Sequence, residues 1–225
     1  MFKEKAEIEE GKIISLGVLL EFHKITWPFV ALLFNYFSTC EQTSRMALMS
    51  GFFGGYGLLW VLKSHTFYDI HIYFNPKYHY NTKEAVINYL TISIYYIFPW
   101  KASTNCTEIS YIDNLFASFC FIVGGFLHYS SDSQKFYTLK YRPKKLITEG
   151  LFEIIQHPNY TGEFLIWVGF IIVSDKYSIV SYFPILFLFI ATVCVGIPNK
   201  DKSLKKYDEY GEWNKKTKLL IPGIY

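Results

Sequence analysis

Apolar positions along this chain gather into six runs, at 13–37, 46–62, 85–100, 112–128, 160–173 and 178–197, with polar residues collected between them. A helix needs about 20 mostly apolar residues to cross the hydrocarbon of a bilayer. Each run reaches or approaches that length, and flanking Tyr, Trp and Lys can extend it into the headgroups. The pattern predicts an all-α fold, a polytopic transmembrane helical bundle of about six to seven spans. Glu21 and Lys24 interrupt the first run, which reads either as one broken span or as an interfacial helix followed by a span. In the second run Gly51 and Gly55 stand four apart, a spacing that lets two membrane helices approach closely.

Composition agrees with the pattern. The 225 residues are 51% hydrophobic and 20% aromatic, and only 18% are charged, against about 25% in soluble chains. Disorder, collagen and coiled coil are excluded. The net charge of +3, with no long basic run, excludes a charge-driven nucleic-acid module. Residues 1–12 mix both signs of charge and no A-x-A cleavage pattern follows, so the first spans are expected to remain in the mature protein. No internal repeat or linker divides the chain, and residues 1–225 read as one integral membrane domain. The four cysteines form no CxxC pair; three lie in or beside apolar runs, where an inert buried thiol is the usual case, and no disulfide framework is expected.

Charge also orients the chain. Segment 132–149 carries Lys135, Lys140, Arg142, Lys144 and Lys145 against Asp132 and Glu149, and segment 198–225 carries seven Lys against four acids. The positive-inside rule puts both in the cytosol. The loop 101–111 then lies outside, where Asn105-Cys106-Thr107 fits a glycosylation acceptor.

The polar motif His157-Pro158-Asn159-Tyr160-Thr161-Gly162-Glu163 opens the fifth run. Proline suits the first position of a helix, where its missing N–H has no partner to lose. Asn159 and Glu163 then share one helix face. An amide and a carboxylate one turn inside a membrane are costly unless they are paired or line a wet cavity, so this face predicts a polar pocket. The helix N-terminus attracts anions, and Lys140, Arg142, Lys144 and Lys145 upstream can hold phosphate or carboxylate. Segment 202–222 reads as an amphipathic interfacial helix or as a lid over that pocket. His65, Asp69 and His71 lack the spacing of a metal site, so no metal is expected.

The half from 126 to 225 resembles the C-terminal domain of the steroid 5-alpha-reductase family. The resemblance rests on Ser131-Asp132, Leu139-Lys140, Gly150-Leu151-Phe152, Pro158-Asn159-Tyr160-x-Gly162-Glu163, Trp167-x-Gly169-Phe170 and the ending Leu220-Ile221-Pro222-x-Ile224-Tyr225. It implies a bundle that binds NADPH in this half, with Asp132, Lys140, Arg142, His157, Asn159, Tyr160 and Glu163 around the cofactor. Its substrate would be a sterol, steroid or other lipid enone, reduced at a C=C bond. In that chemistry the cofactor carries the hydride and the protein orients it. A Tyr or a carboxylic acid must donate to the carbonyl oxygen as charge develops. In the N-terminal half Glu21 and Tyr68 are the candidate catalytic residues. The family's superfamily also holds isoprenylcysteine and phospholipid methyltransferases, which share the His157-Pro158-x-Tyr160-x-Gly162 core. That alternative puts S-adenosylmethionine in the same pocket. A lipid-binding scaffold without chemistry is the third reading. The resemblance implies the endoplasmic reticulum membrane in a eukaryote and the inner membrane in a bacterium.

Overall fold

The computed structural model describes residues 10–41, 43–67 and 70–220. Each apolar run becomes a helical rod. The first joins α1 (Leu16–Ile25) to α2 (Trp27–Tyr36), the second is α3 (Ser44–Thr66), and the short α4 (Ile70–Phe74) follows. The third rod joins α5 (Thr82–Ile92) to α6 (Ile97–Thr104), and the fourth is α7 (Tyr111–Tyr141). After the single turn α8 (Leu151–Ile154) comes the fifth, α9 (Pro158–Asp175). The sixth runs from 179 to 204 through α10 (Phe183–Phe189), a π-helical stretch (Ile190–Gly196) and α11 (Ile197–Leu204); α12 (Tyr210–Lys216) lies beyond it. Against the six to seven spans expected, four rods among the described residues are long and apolar enough to cross a membrane: Leu16–Tyr36, Ser44–Thr66, Tyr111–Tyr141 and Ile179–Leu204. The fold is thus an all-α membrane helical bundle. A two-residue antiparallel pairing, β1 (Ile14–Ser15) with β2 (His79–Tyr80), ties the start of the first rod to the start of the third.

Local chemistry starts these helices. Ser15, Thr43 and Ser110 each accept a backbone N–H from three residues on. Asn81 and Glu84 form a reciprocal capping box. The first rod is continuous but jointed at Thr26, where Pro28 follows. A joint is expected there, because proline cannot donate to the preceding turn.

The core is aromatic. Trp27, Phe53, Tyr56, Phe98, Trp167 and Phe170 are fully buried. Trp27 stacks on Phe53 with ring centroids 3.8 Å apart, and Tyr95 stacks on Trp167 at 4.4 Å. Close helix approach falls at different glycines from those expected. Gly51 and Gly55 meet nothing within 4 Å. Instead Gly54 faces Pro28, and Gly57 lies where a Cβ would come 2.5 Å from the Lys24 carbonyl oxygen. The spacing of Gly51 and Gly55 marks a smooth face, but the jointed first rod rests on the adjacent face of α3.

One end of the bundle is clamped. Arg45 donates to the carbonyl oxygens of Val173 (2.7 Å) and Thr107 (3.0 Å), capping the C-terminus of α9, where a cation is favoured by the helix dipole. Lys176 pairs with Asp113 at 2.7 Å and Lys101 with Asp175 at 3.5 Å. Cys40 and Cys106 form a disulfide between the turn after α2 and the loop after α6, which corrects the expectation of no disulfide. Sequence spacing carried no trace of it, since 66 residues separate the two. Cys120 and Cys194 are free. Maleimide should therefore label two thiols per denatured chain before reduction and four after it, read by intact mass. The basic segments lie at the opposite end, where Trp213 donates to the Phe152 carbonyl at 2.7 Å.

Candidate functional site

α7 and α9 cross in near backbone contact. A Cβ on Gly162 would lie 2.5 Å from the Gly124 carbonyl oxygen and 2.5 Å from the His128 nitrogen. This crossing seats the polar face of α9 against the polar residues of α7. His128 Nδ1 lies 3.2 Å from the Asn159 carbonyl oxygen. A carbonyl only accepts, so Nδ1 carries the proton and Nε2 is the acceptor, 3.4 Å from Lys63 Nζ on α3. Lys63 also forms a direct ion pair with Asp132, one turn along α7 from His128. The chain Asn159–His128–Lys63–Asp132 is thus hydrogen-bonded throughout, and α3 and α7, which carry three of its members, are of membrane-spanning length.

A second intramembrane cation faces it. Lys24 is 4% exposed. Its ammonium sits 3.4 Å from the centroid of Trp27, 4.7 Å from Tyr56, 5.3 Å from Trp60, 5.4 Å from Tyr95 and 5.6 Å from Trp167. Ring faces attract a cation when water is excluded. The opposing charge is the Glu163 carboxylate, which also feels Lys63. Three polar atoms of this layer are buried without hydrogen-bond partners among the described residues: His23 Nε2, Tyr56 Oη and Trp167 Nε1.

His157 caps the start of α9 at the basic end. The C-terminal tail straps across it: Gln156 and His157 donate backbone N–H groups to Lys218 and Leu219 at 2.8 and 3.2 Å, and the Thr161 hydroxyl donates to Leu220 at 2.6 Å. The His157 ring is 4% exposed and its Nε2 has no partner among the described residues. Burial, with the nearby Lys200 and Lys135 charges adding to it, pushes its pKa down to about 4 from 6.5. Between those values the unfolded chain binds a proton that the folded chain refuses. The stability His157 confers is therefore complete above about pH 6.5 and lost as pH falls toward 4. Melting temperatures from pH 4 to 8 should show this acid loss, and His157→Gln should flatten it.

The other expected residues divide between the site and its surroundings. Asp132, Asn159 and Glu163, each half-buried, lie on the facing sides of α7 and α9, with Asp132 paired to Lys63 and the Asn159 carbonyl beside His128. Tyr160 lies beside His157 with Lys200 Nζ 4.3 Å from its ring centroid. Lys140 and Arg142 lie on the exposed end of α7, where Arg142 pairs with Glu149. Glu21 is at the rim, 2.8 Å from His65 Nε2 and within 3.4 Å of the Tyr73 hydroxyl. Tyr68 and the ending 221–225 fall outside the described residues. Sequence reasoning missed Lys24, Lys63, His128, Lys135 and Lys200. The signal for the first two was present, since both are cations within apolar helices, a placement that membranes tolerate only for pairs and sites.

The arrangement can hold a negatively charged group at the His157 end and polarise a buried one beside Lys24. The lone Nε2 of His157, with Lys135 and Lys200 close by, suits phosphate or carboxylate. The layer beneath offers both donors and acceptors to a sugar or amide.

Two likenesses accompany this geometry. A stretch of 88 residues is 30% identical to a protein of Acanthamoeba polyphaga mimivirus named "Probable 7-dehydrocholesterol reductase"; it covers 37% of this chain and 19% of that protein. The chain therefore spans about a fifth of the length of the curated relative it matches. Residues 80–217, which carry α7, α9 and the strapped tail, match the family described as "Protein of unknown function (DUF1295)". On that match the chain belongs to the DUF1295 family, within the steroid 5-alpha-reductase-like group.

Proposed function

We propose that the protein is a membrane-embedded reductase that uses NADPH to saturate a C=C bond of a sterol or other ring lipid. The observation that carries this reading is the intramembrane layer of Lys24, Glu163, Lys63 and Asp132, directly beneath the phosphate-suited His157 end. Charges at that depth are costly, and an enzyme that must stabilise charge in hydrocarbon has a use for them. The mimivirus relative's name supports a sterol as the substrate class.

In this reading His157, Lys135 and Lys200 hold the phosphates, with the N-terminus of α9 adding its dipole. Asn159 and Asp132 orient the cofactor, and Glu163 sits behind Lys24 as its counter-charge. NADPH, when bound, supplies the hydride. The aromatic walls exclude water, which strengthens each of these electrostatic contacts. Disulfides persist in oxidising compartments, so the clamped end faces the lumen or periplasm and the basic end faces the cytosol, in the endoplasmic reticulum or bacterial inner membrane respectively.

The partnerless His157 Nε2 also suits the carboxylate of S-adenosylmethionine, which keeps a methyltransferase as the second reading. Thermal stabilisation of the detergent-purified chain separates them. At a ligand concentration 100 times its dissociation constant, binding to the folded state stabilises by about 2.7 kcal/mol. NADPH should raise the melting temperature, and Glu163→Ala should abolish the rise. A rise with S-adenosylmethionine alone would overturn the reductase in favour of the methyltransferase.

A further inference from the structure

The basic stretch Lys140-Tyr141-Arg142-Pro143-Lys144-Lys145 is not used by the site around His157, whose nearby cations are Lys135 and Lys200. It carries four cations and no acid, whereas the lysines of 200–216 are interleaved with Asp201, Asp208, Glu209 and Glu212. All four cations are exposed. Among the described residues only Arg142 of the four has a salt bridge, with Glu149. The length of α7 places the stretch among lipid headgroups. Its 31 residues make a rod about 46 Å long at 1.5 Å per residue, against about 30 Å of hydrocarbon. With its first turn at one interface, its last two turns pass beyond the hydrocarbon at the other. Those turns expose Tyr137, Leu139 and Tyr141, and Tyr137 stacks on Tyr141 with ring centroids 6.4 Å apart. Tyrosine rings settle at headgroup level, so Lys140 is held where lipid phosphates lie. The turn that follows is strained. Lys144 has a φ of +65°, in the left-handed region that glycine occupies without steric cost. Pro143 before it fits a tight turn whose next position normally takes glycine or asparagine. A strained residue kept where glycine would serve points to a use for its side chain.

We propose that Lys140, Lys144 and Lys145 bind the phosphomonoester headgroup of an anionic lipid in the leaflet at the basic end of the bundle. Three ammonium groups without counter-ions, within six residues, suit a headgroup that carries more than one negative charge. A zwitterionic headgroup brings an ammonium of its own and gains less. Arg142 joins when its exposed pair with Glu149 opens, which costs little because such surface pairs are weak. The site is separate from the cofactor pocket and does not depend on the reductase reading. It retains a lipid beside the bundle and performs no chemistry on it.

The test uses the full chain in a neutral detergent with equimolar dioctanoyl phosphatidic acid and dioctanoyl phosphatidylcholine, and reads the lipids retained by native mass spectrometry. Each cation close to an anionic surface contributes about 5-fold. The wild type should therefore retain phosphatidic acid over phosphatidylcholine by roughly 10- to 100-fold. Lys144→Gly removes a charge and relieves the left-handed strain together. Its preference should fall about 5-fold, while its melting temperature stays level or rises. Combining it with Lys140→Gln and Lys145→Gln should bring the two lipids to parity. Glu149→Gln frees Arg142 and should raise the preference about 2- to 5-fold; the Glu149 backbone carbonyl, which accepts from Gln134, is left in place. Lys215→Gln with Lys216→Gln removes the same charge from α12 and should leave the preference unchanged. Inorganic phosphate at the concentration of the lipid separates a headgroup site from a site for the free anion, and should not displace the phosphatidic acid. Equal retention of the two lipids by the wild type, a preference that survives the triple variant or is lost in the α12 variant, or displacement by inorganic phosphate would overturn the proposal.

Discussion

Lys63→Met should destabilise the folded protein by about 3–5 kcal/mol, and adding Asp132→Leu should recover most of the loss. Both side chains are largely buried, at 9% and 16% exposure. Removing one member of such a pair strands the other charge in a low-dielectric interior, and that cost has the stated size. Removing both replaces the pair with packed hydrocarbon, which is often neutral or better. The coupling energy from the four-member cycle, measured by denaturant unfolding in one detergent, should therefore exceed about 2 kcal/mol, toward the upper end of the range for contacting residues. His128 sharpens the expectation. Its Nε2 lies 3.4 Å from Lys63 Nζ, so the single variant also leaves an imidazole acceptor unpaired. The double variant should fold yet fail to bind NADPH, because Asp132 belongs to the cofactor pocket in the reductase reading. A stable single variant, or a double variant as weak as the single, would show that the pair is solvated and carries no such role.

The same residues show what a sequence can and cannot disclose about this protein. Six apolar runs became six rods, but only four of them, among the described residues, have the length and apolar content that crossing a bilayer requires. Asn159 and Glu163 were legible as a polar face because the 3.6-residue period places them together from local information alone. Lys63 and Asp132 are 69 residues apart, and nothing in either local segment tells which cation meets which anion. Glu21 stood out as a catalytic candidate because a carboxylate in an apolar stretch favours its protonated, donating form. Only the packing of α1 against α3 shows that Glu21 meets His65 at the rim while Lys24 turns into the rings. Cys40 and Cys106 lie beyond sequence reasoning for the same cause: their meeting depends on where two separate rods end.

Gly162→Ala should cost about 2–3 kcal/mol, the upper range for overpacking a core, and should reduce NADPH stabilisation more than that loss of stability accounts for. The new methyl group would stand 2.5 Å from both the Gly124 carbonyl oxygen and the His128 nitrogen. Both are backbone atoms of a helix, so no side chain can swing aside, and α7 and α9 must part. That separation acts on the site directly. The bond between His128 Nδ1 and the Asn159 carbonyl spans the same crossing at 3.2 Å, and Glu163 is the next residue along α9. Gly124→Ala approaches the crossing from the other side, 2.6 Å from the Gly162 carbonyl oxygen. The two variants push the same pair of helices apart, so their costs should fall short of additive when combined. Gly125→Ala is the control: its Cβ meets nothing within 4 Å, and alanine favours a helix over glycine by up to about 1 kcal/mol. It should match or exceed the wild type in melting temperature and bind NADPH unchanged. If Gly162→Ala instead melts like Gly125→Ala, α7 and α9 do not depend on this close crossing, and the link between helix packing and the buried charge layer fails with it.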